Sequence, residues 1–316
     1  MKSGVSPLYG KDLFGDSAEP PAKGPVAERF GFPPFSVFDA RAEDWQERKR
    51  AWTALGISGE VGRSAKAVGI QSWLSDPATR GTVWPLEGHT GDGTSIFDPV
   101  LCEMVYRWFC PLGGQVVDPF AGGPVRGVVA KALGRRYWGC ELRAEQVFAN
   151  DEQARTIYGA QDDGGLNWLC GDSATSLGSA PEADLIFSCP PYGDLETYSK
   201  APADLSAMGW EDFAVAYAGI ICGAVGVLRE DRFACFVVGN FRSKEGYLRD
   251  LVGLTVSAFE AAGARFYNEA VLSTRVGSAA LRVTKQFTLS RKLAKTHQNV
   301  LVFCKGDPRQ ATRAIV

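Results

Sequence analysis

From Asp98 almost to the end of the chain, short continuous apolar segments alternate with longer amphipathic ones. The segments "QVVD", "RYWGCE", "LNWLCGD", "ADLIFSC" and "RFACFVVGN" have the length and continuity of strands buried on both faces. Between them, "VLCEMVYRWFC", "GPVRGVVAKALG", "AEQVFANDEQARTIYG", "WEDFAVAYAGIICGAVGVL" and "YLRDLVGLTVSAFEAAG" carry a helical period. Asp98-Pro99 marks the start of the first of these helices, as a cap followed by proline at the first helical position. Strands buried on both faces belong to a parallel sheet covered by helices. Two last segments, "NEAVLST" and "NVLVFCKG", read as a closing strand pair. The expected fold is α/β: a mostly parallel seven-stranded sheet with a C-terminal antiparallel strand pair and helices on both faces.

The chain before this alternation reads differently. Residues 1–35 are rich in Pro and Gly ("EPPAKGP", "GFPPF") and read as a flexible arm. Residues 36–96 read as a helical and irregular segment that could serve recognition, and 97–308 as the main domain. Within "WQERKRAW", Trp45 and Trp52, with Leu55 beyond, can share one helical face, and Arg48, Lys49 and Arg50 the other. Helix packing explains that stretch better than nucleic-acid contact.

In open α/β sheets, ligands bind beyond the carboxyl ends of the strands. The strand "QVVD" runs into Pro119, Phe120, Ala121, Gly122 and Gly123, where the glycines let a ligand approach the backbone. Glu141 ends the next strand and Asp172 follows the third, with Ser173 beside it. Single strand-end carboxylates often cap helices or face water. Three successive strands ending in Asp118, Glu141 and Asp172 favour an adenosine cofactor, with Glu141 on ribose hydroxyls and Asp172 on the adenine amino group. The turn lacks G-x-G-x-x-G, and Pro124 removes an amide, so it suits a pyrophosphate poorly. S-adenosyl-L-methionine fits better than NAD.

The bulk numbers narrow the setting. With 45% hydrophobic and 22% charged residues, the composition is that of a globular protein. A formal net charge of −2 means that any nucleic-acid surface must come from local clustering. The apolar runs reach only about ten residues, short of a bilayer span, and no secretory signal is evident. Eight cysteines without C-x-x-C pairs read as reduced, mostly buried thiols of a cytoplasmic protein. With only two histidines, no metal site is expected.

Taken in order, "DPFAGG", "CELRAEQ", "CGDS" and "SCPPY" resemble the S-adenosylmethionine-dependent DNA methyltransferases that act on exocyclic amines, N4 of cytosine or N6 of adenine. The match covers roughly Phe97 to Gly306. The resemblance implies a Rossmann-like methyltransferase fold. It implies that Phe97, Asp118, Phe120, Gly122 and Glu141 contact the cofactor together with Asp172, and that Cys189, Pro190, Pro191 and Tyr192 line the target-base pocket. Double-stranded DNA with a flipped base becomes the expected partner. A homodimer and a restriction or phage modification system are settings that the resemblance admits. Two departures stand out: Pro124 replaces the last glycine of the loop, and Cys189 replaces the usual Asp, Asn or Ser.

At the P-P-Y loop, Tyr192 can stack on a base, worth ~1–3 kcal/mol. The Pro190 carbonyl can accept from the target amine. A thiol accepts weakly, which leaves three readings of Cys189. It is a serine-like spacer beside an N4 amine, a nucleophile that adds to cytosine C6 for C5 methylation, or a weakened site that binds nucleic acid without turnover. The first two share a cytosine target, whereas N6 of adenine, RNA and protein nitrogens are the remaining alternatives. Between Glu269 and Asp307 no acidic residue appears. Arg275, Arg282, Lys285, Arg291, Lys292 and Lys295 fall there and read as a basic loop, at the active-site end of the sheet, for phosphate contacts.

Overall fold

The structure is a computed structural model that describes residues 30–59, 96–159, 164–193, 199, 201–274 and 279–315. The sequence readings for 1–29 and 60–95 lie outside the described residues.

In chain order the elements are β1 (Val37–Asp39), α1 (Glu43–Thr53), α2 (Pro99–Phe109), β2 (Gln115–Asp118), α3 (Val125–Ala132), β3 (Arg136–Glu141) and α4 (Ala144–Tyr158). Next come β4 (Leu166–Cys170), the single turn α5 (Ser173–Ser176), β5 (Ala183–Ser188), α6 (Trp210–Val227) and β6 (Leu228–Val238). The chain closes with the hairpin strands β7 (Phe241–Arg242) and β8 (Leu248–Arg249), then α7 (Leu251–Ala261), β9 (Arg265–Ser273), α8 (Ala279–Ser290), β10 (His297–Lys305) and α9 (Pro308–Arg313).

The main sheet has 8 strands in the order β1-β9-β10-β6-β5-β2-β3-β4. From β6 to β4 all neighbours are parallel. β10 is antiparallel to both β6 and β9, so β9 again points the same way as β6. This is the expected Rossmann-like α/β sheet with one reversed strand near its end. The eighth strand is a finding: β1 adds in parallel to β9, pairing Val37 with Val271. Three residues behind a proline pair are too few to show a period.

β2 and β5 are buried along their whole length. One face packs Val100, Leu101, Val105 and Tyr106 of α2 with Val128 and Val129 of α3. The other packs Phe213, Tyr217 and Ile221 of α6 with Phe259 of α7 against Phe236 and Phe303. The start of α2 follows from its sequence: Asp98 accepts from the Val100 N–H at 3.0 Å, and Pro99 takes the first turn. By length and composition α6 could cross a bilayer, which the sequence reading had not anticipated. Here its Phe213, Tyr217, Ile220 and Ile221 lie in the core.

Two expectations are corrected. Leu55 does not join Trp45 on the packed face of α1 but is 47% exposed. Arg48 donates to Glu103 and Lys49 to Asp98, both on or just before α2, so the basic residues take part in the packing. The segment between the closing strands is not a loop throughout. It contains the helix α8, and Arg291, at φ 53, turns the chain out of it.

Candidate active site

A cavity of about 650 Å³ opens at the carboxyl ends of β2, β3, β4 and β5. That is an ordinary size for a small-molecule site. The glycine loop, Glu141, Asp172 and the whole C-P-P-Y loop meet there. Phe97, Pro119, Phe120, Gly122, Gly123, Glu141, Asp172, Ser173, Cys189, Pro190, Pro191 and Tyr192 all line it.

Asp118 and Ala121 lie behind the wall and are fully buried. The Asp118 carboxylate accepts from Arg126 Nε at 2.6 Å, from Tyr137 Oη at 2.7 Å and from the Phe120 N–H at 3.1 Å. Ser188 Oγ donates to Oδ1, the oxygen that also takes the Phe120 N–H, while Arg126 and Tyr137 share Oδ2. Four donors leave no lone pair aimed at a ligand. Asp118 instead ties the glycine loop to Ser188, the residue before Cys189. Arg126 completes this knot by donating to the carbonyls of Phe120 and Ala121, with its guanidinium 4.6 Å from the centre of the Phe97 ring. Burial is the largest influence and works against the Arg126 charge, but its neighbours, Asp118 first, together outweigh it and hold the guanidinium protonated.

Glu141 is also engaged. Oε2 accepts from the Gly122 N–H at 3.0 Å, and Oε1 from the N–H of Arg143 at 3.0 Å and its Nε at 3.2 Å. Arg143 donates onward to Gln146, Gln146 to Asn150, and Asn150 to the Gly122 carbonyl at 2.8 Å. The glycine loop is thus gripped at both its amide and its carbonyl. Gly122 has φ +50, a conformation that favours glycine. Pro124 is where α3 begins, and its carbonyl accepts from the Val128 N–H at 2.9 Å. Asp172 caps α5 through the Ala174 N–H, and Ser173 Oγ donates to the Pro119 carbonyl.

The opposite wall carries the C-P-P-Y loop. Cys189 is half-buried, and its thiol is close enough to Arg126 and Tyr192 to shift their ionisation. Burial first, then Cys189, raises the Tyr192 phenol well above its ordinary value, so it stays neutral. Its hydroxyl accepts from Gln298 Nε2 at 2.8 Å. The next residue, Gly193, has φ +53, and a Cβ there would sit 2.4 Å from the Phe241 ring. Only glycine fits that turn.

The basic residues are less uniform. Arg275 and the side chain of Arg282 lie outside the described residues. Lys285 and Arg291 are exposed on and after α8, with Arg291 over the Phe287 ring at 5.2 Å. Lys292 is half-buried, and Lys295 Nζ donates to the Asn240 carbonyl at 3.2 Å. This segment hangs from the end of β9, whose last residues Leu272 and Ser273 lead to Thr274 at the cavity, so it leaves the sheet at the cavity end.

Sequence reading missed Lys49, Arg126, Arg143, Gln146, Asn150 and Gln298. All are polar residues held by pairing, with Arg126, Arg143, Gln146 and Asn150 buried, and a search for apolar periodicity passes over them.

No protein-family model matches the sequence, and no curated protein matches it. Solved structures similar in fold include TrmN from Thermus thermophilus, at 17% identity and a TM-score of 0.45 over 66% of this chain. The match covers 49% of TrmN, so this chain spans about half the length of that protein. A TehB-like SAM-dependent methyltransferase from Corynebacterium glutamicum gives 16% identity and a TM-score of 0.41, over 76% of this chain and 98% of that one. A methyltransferase from Pyrococcus furiosus gives 14% and 0.43, over 76% and 100%. Likenesses at this level carry no substrate or chemistry over to this chain.

Proposed function

We propose that this chain is an S-adenosylmethionine-dependent methyltransferase acting on cytosine in DNA, at the exocyclic N4 amine. One observation carries the reading: the glycine loop, two strand-end carboxylates and the C-P-P-Y loop converge on one cavity of about 650 Å³. The residues present fit the cofactor. Gly122 and Gly123 offer backbone without a Cβ, Glu141 and Asp172 offer acceptors at neighbouring strand ends, and Phe97 offers a ring. When bound, S-adenosylmethionine supplies a methyl group on a positively charged sulfur.

The chain's own residues then position the target. The Pro190 carbonyl accepts from the cytosine amine and keeps its lone pair pointed across the cavity. Tyr192 offers its ring to the base, with its hydroxyl fixed by Gln298. Cys189 fills the space beside the amine as a small residue, where serine would also serve. Lys285, Arg291, Lys292 and Lys295 meet phosphates of double-stranded DNA whose target base is flipped out. A restriction or phage modification system is the setting that matches such an activity.

One specific observation favours a second reading, methylation at C5. Cys189 lines the same cavity as Arg126, and a cysteine thiolate is intrinsically a good nucleophile. In that reading the thiolate adds to C6, C5 takes the methyl group, and loss of the C5 proton then expels the thiolate.

Incubation of the chain with DNA and tritiated S-adenosylmethionine, followed by nucleoside mass spectrometry, tests both. N4-methylcytosine is expected, with Cys189→Ser keeping most of the activity. A C5 product abolished by Cys189→Ser would establish the second reading instead. N6-methyladenine as sole product would overturn the cytosine assignment.

A further inference from the structure

We infer that the Lys49–Asp98 ion pair binds the α-amino-acid end of S-adenosylmethionine, with Lys49 taking the carboxylate and Asp98 the ammonium. The inference rests on the cofactor reading above.

The order of strands fixes where that end of the ligand would lie. Along the sheet the cavity meets Asp172 after β4, Glu141 after β3, the glycine loop after β2 and Cys189 after β5. The adenosine half belongs with Asp172 and Glu141, so the rest of the cofactor extends toward β5. Phe97 marks that side. Its ring meets Phe187 of β5 edge-on at 6.0 Å. Asp98 follows directly, and Lys49 of α1 reaches it across the cavity wall with Nζ 3.0 Å from Oδ2.

Charge selects Lys49 among its rivals. Three cations line the cavity among the described residues: Lys49, Arg126 and Arg143. Arg126 is spent on Asp118 and two carbonyls, and Arg143 on Glu141 and Gln146 at the adenosine side. Among the described residues, the Lys49 ammonium is bonded to Asp98 alone, and its side chain keeps 33% exposure. The Asp98 carboxylate is held in place by the Val100 N–H and Trp45 Nε1, so it stays oriented when a ligand arrives.

An α-amino acid is a zwitterion with no net charge. It needs a donor for its carboxylate and an acceptor for its ammonium, about one side chain apart. An ion pair on the wall offers both, and inserting the zwitterion exchanges one pairing for two without leaving a charge unmatched. Residues before Phe97 thereby become part of the cofactor site.

The test is calorimetric titration of the full chain with two ligands, S-adenosylmethionine and its decarboxylated analogue. Wild type should bind S-adenosylmethionine about 10- to 100-fold more tightly than the analogue, the usual worth of a hydrogen bond to a charged group. Lys49→Gln should lose that factor for S-adenosylmethionine and change analogue binding by no more than about twofold. Lys49→Arg should retain most of the preference. Equal affinity of wild type for both ligands would overturn the inference, as would an equal loss for both in Lys49→Gln. Failure of wild type to bind either ligand would instead remove the cofactor reading itself. The unliganded melting temperature of Lys49→Gln shows whether its fold is kept.

Discussion

On the wall formed by the ends of β2 and β3, the polar side chains bond one another: Asp118 with Arg126, Tyr137 and Ser188, and Glu141 through Arg143, Gln146 and Asn150 back to Gly122. On the C-P-P-Y wall, Tyr192 is fixed through Gln298, and Gly193 is packed under Phe241. Among the described residues, the first wall is a closed network and the second is tied mainly through Gln298 and Phe241. On the function proposed above, a cofactor of one shape would meet a preformed cradle, and a flipped base a surface that can adjust around it.

The comparison can be broken at its strongest point first. Arg126→Ala removes one partner of a buried ion pair and should cost about 3–5 kcal/mol, because Asp118 is left charged and buried. Urea denaturation measures it. A loss under about 1 kcal/mol would mean that the knot does not hold the two loops. Asn150→Ala strands the Gly122 carbonyl and should cost about 1–3 kcal/mol, with weaker cofactor binding in calorimetry. On the other wall, Gln298→Ala should cost only about 0.5–1.5 kcal/mol, yet lower turnover by loosening Tyr192. Equal stability losses in the Asn150 and Gln298 variants would erase the contrast.

The smallest effect concerns pH. Burial raises the Tyr192 phenol above its ordinary value, so the folded state favours the protonated form. Its contribution is therefore complete at neutral pH and lost as pH rises beyond about 10, where the unfolded phenol ionises. Tyr192→Phe should cost about 0.5–1.5 kcal/mol at pH 7, through the lost bond to Gln298, and flatten the fall in stability above pH 10, measured by melting temperature across an alkaline series.

The sheet was legible because its strands are continuous apolar runs and its helices periodic. "QVVD" became β2 without change, and Asp98-Pro99 opened α2 as their chemistry requires. The glycine loop, Glu141 and Asp172 were legible from their positions at strand ends. Arg143, Gln146 and Asn150 were not, because at their spacing just before and along α4 they imitate a solvated helical face. All three are buried, satisfied by one another rather than by water. The partners of Arg48 and Lys49 were not legible either: Glu103 and Asp98 lie some fifty residues away, and no local pattern announces such a meeting. α8 was hidden by its charges, which drew attention to composition and away from period.

β1 has a consequence for where this protein can be cut. A fragment beginning at Phe97, the border suggested by sequence, would leave the outer backbone edge of β9 without the hydrogen bonds that β1 supplies. It would uncover Trp108, which packs on Phe38, and would take Arg48 and Trp52 away from the buried Glu103. A bare strand edge beside exposed rings invites other chains to pair with it. The shortest well-behaved version of this molecule therefore begins before Val37, and the residues that look like a preface are structurally its last wall.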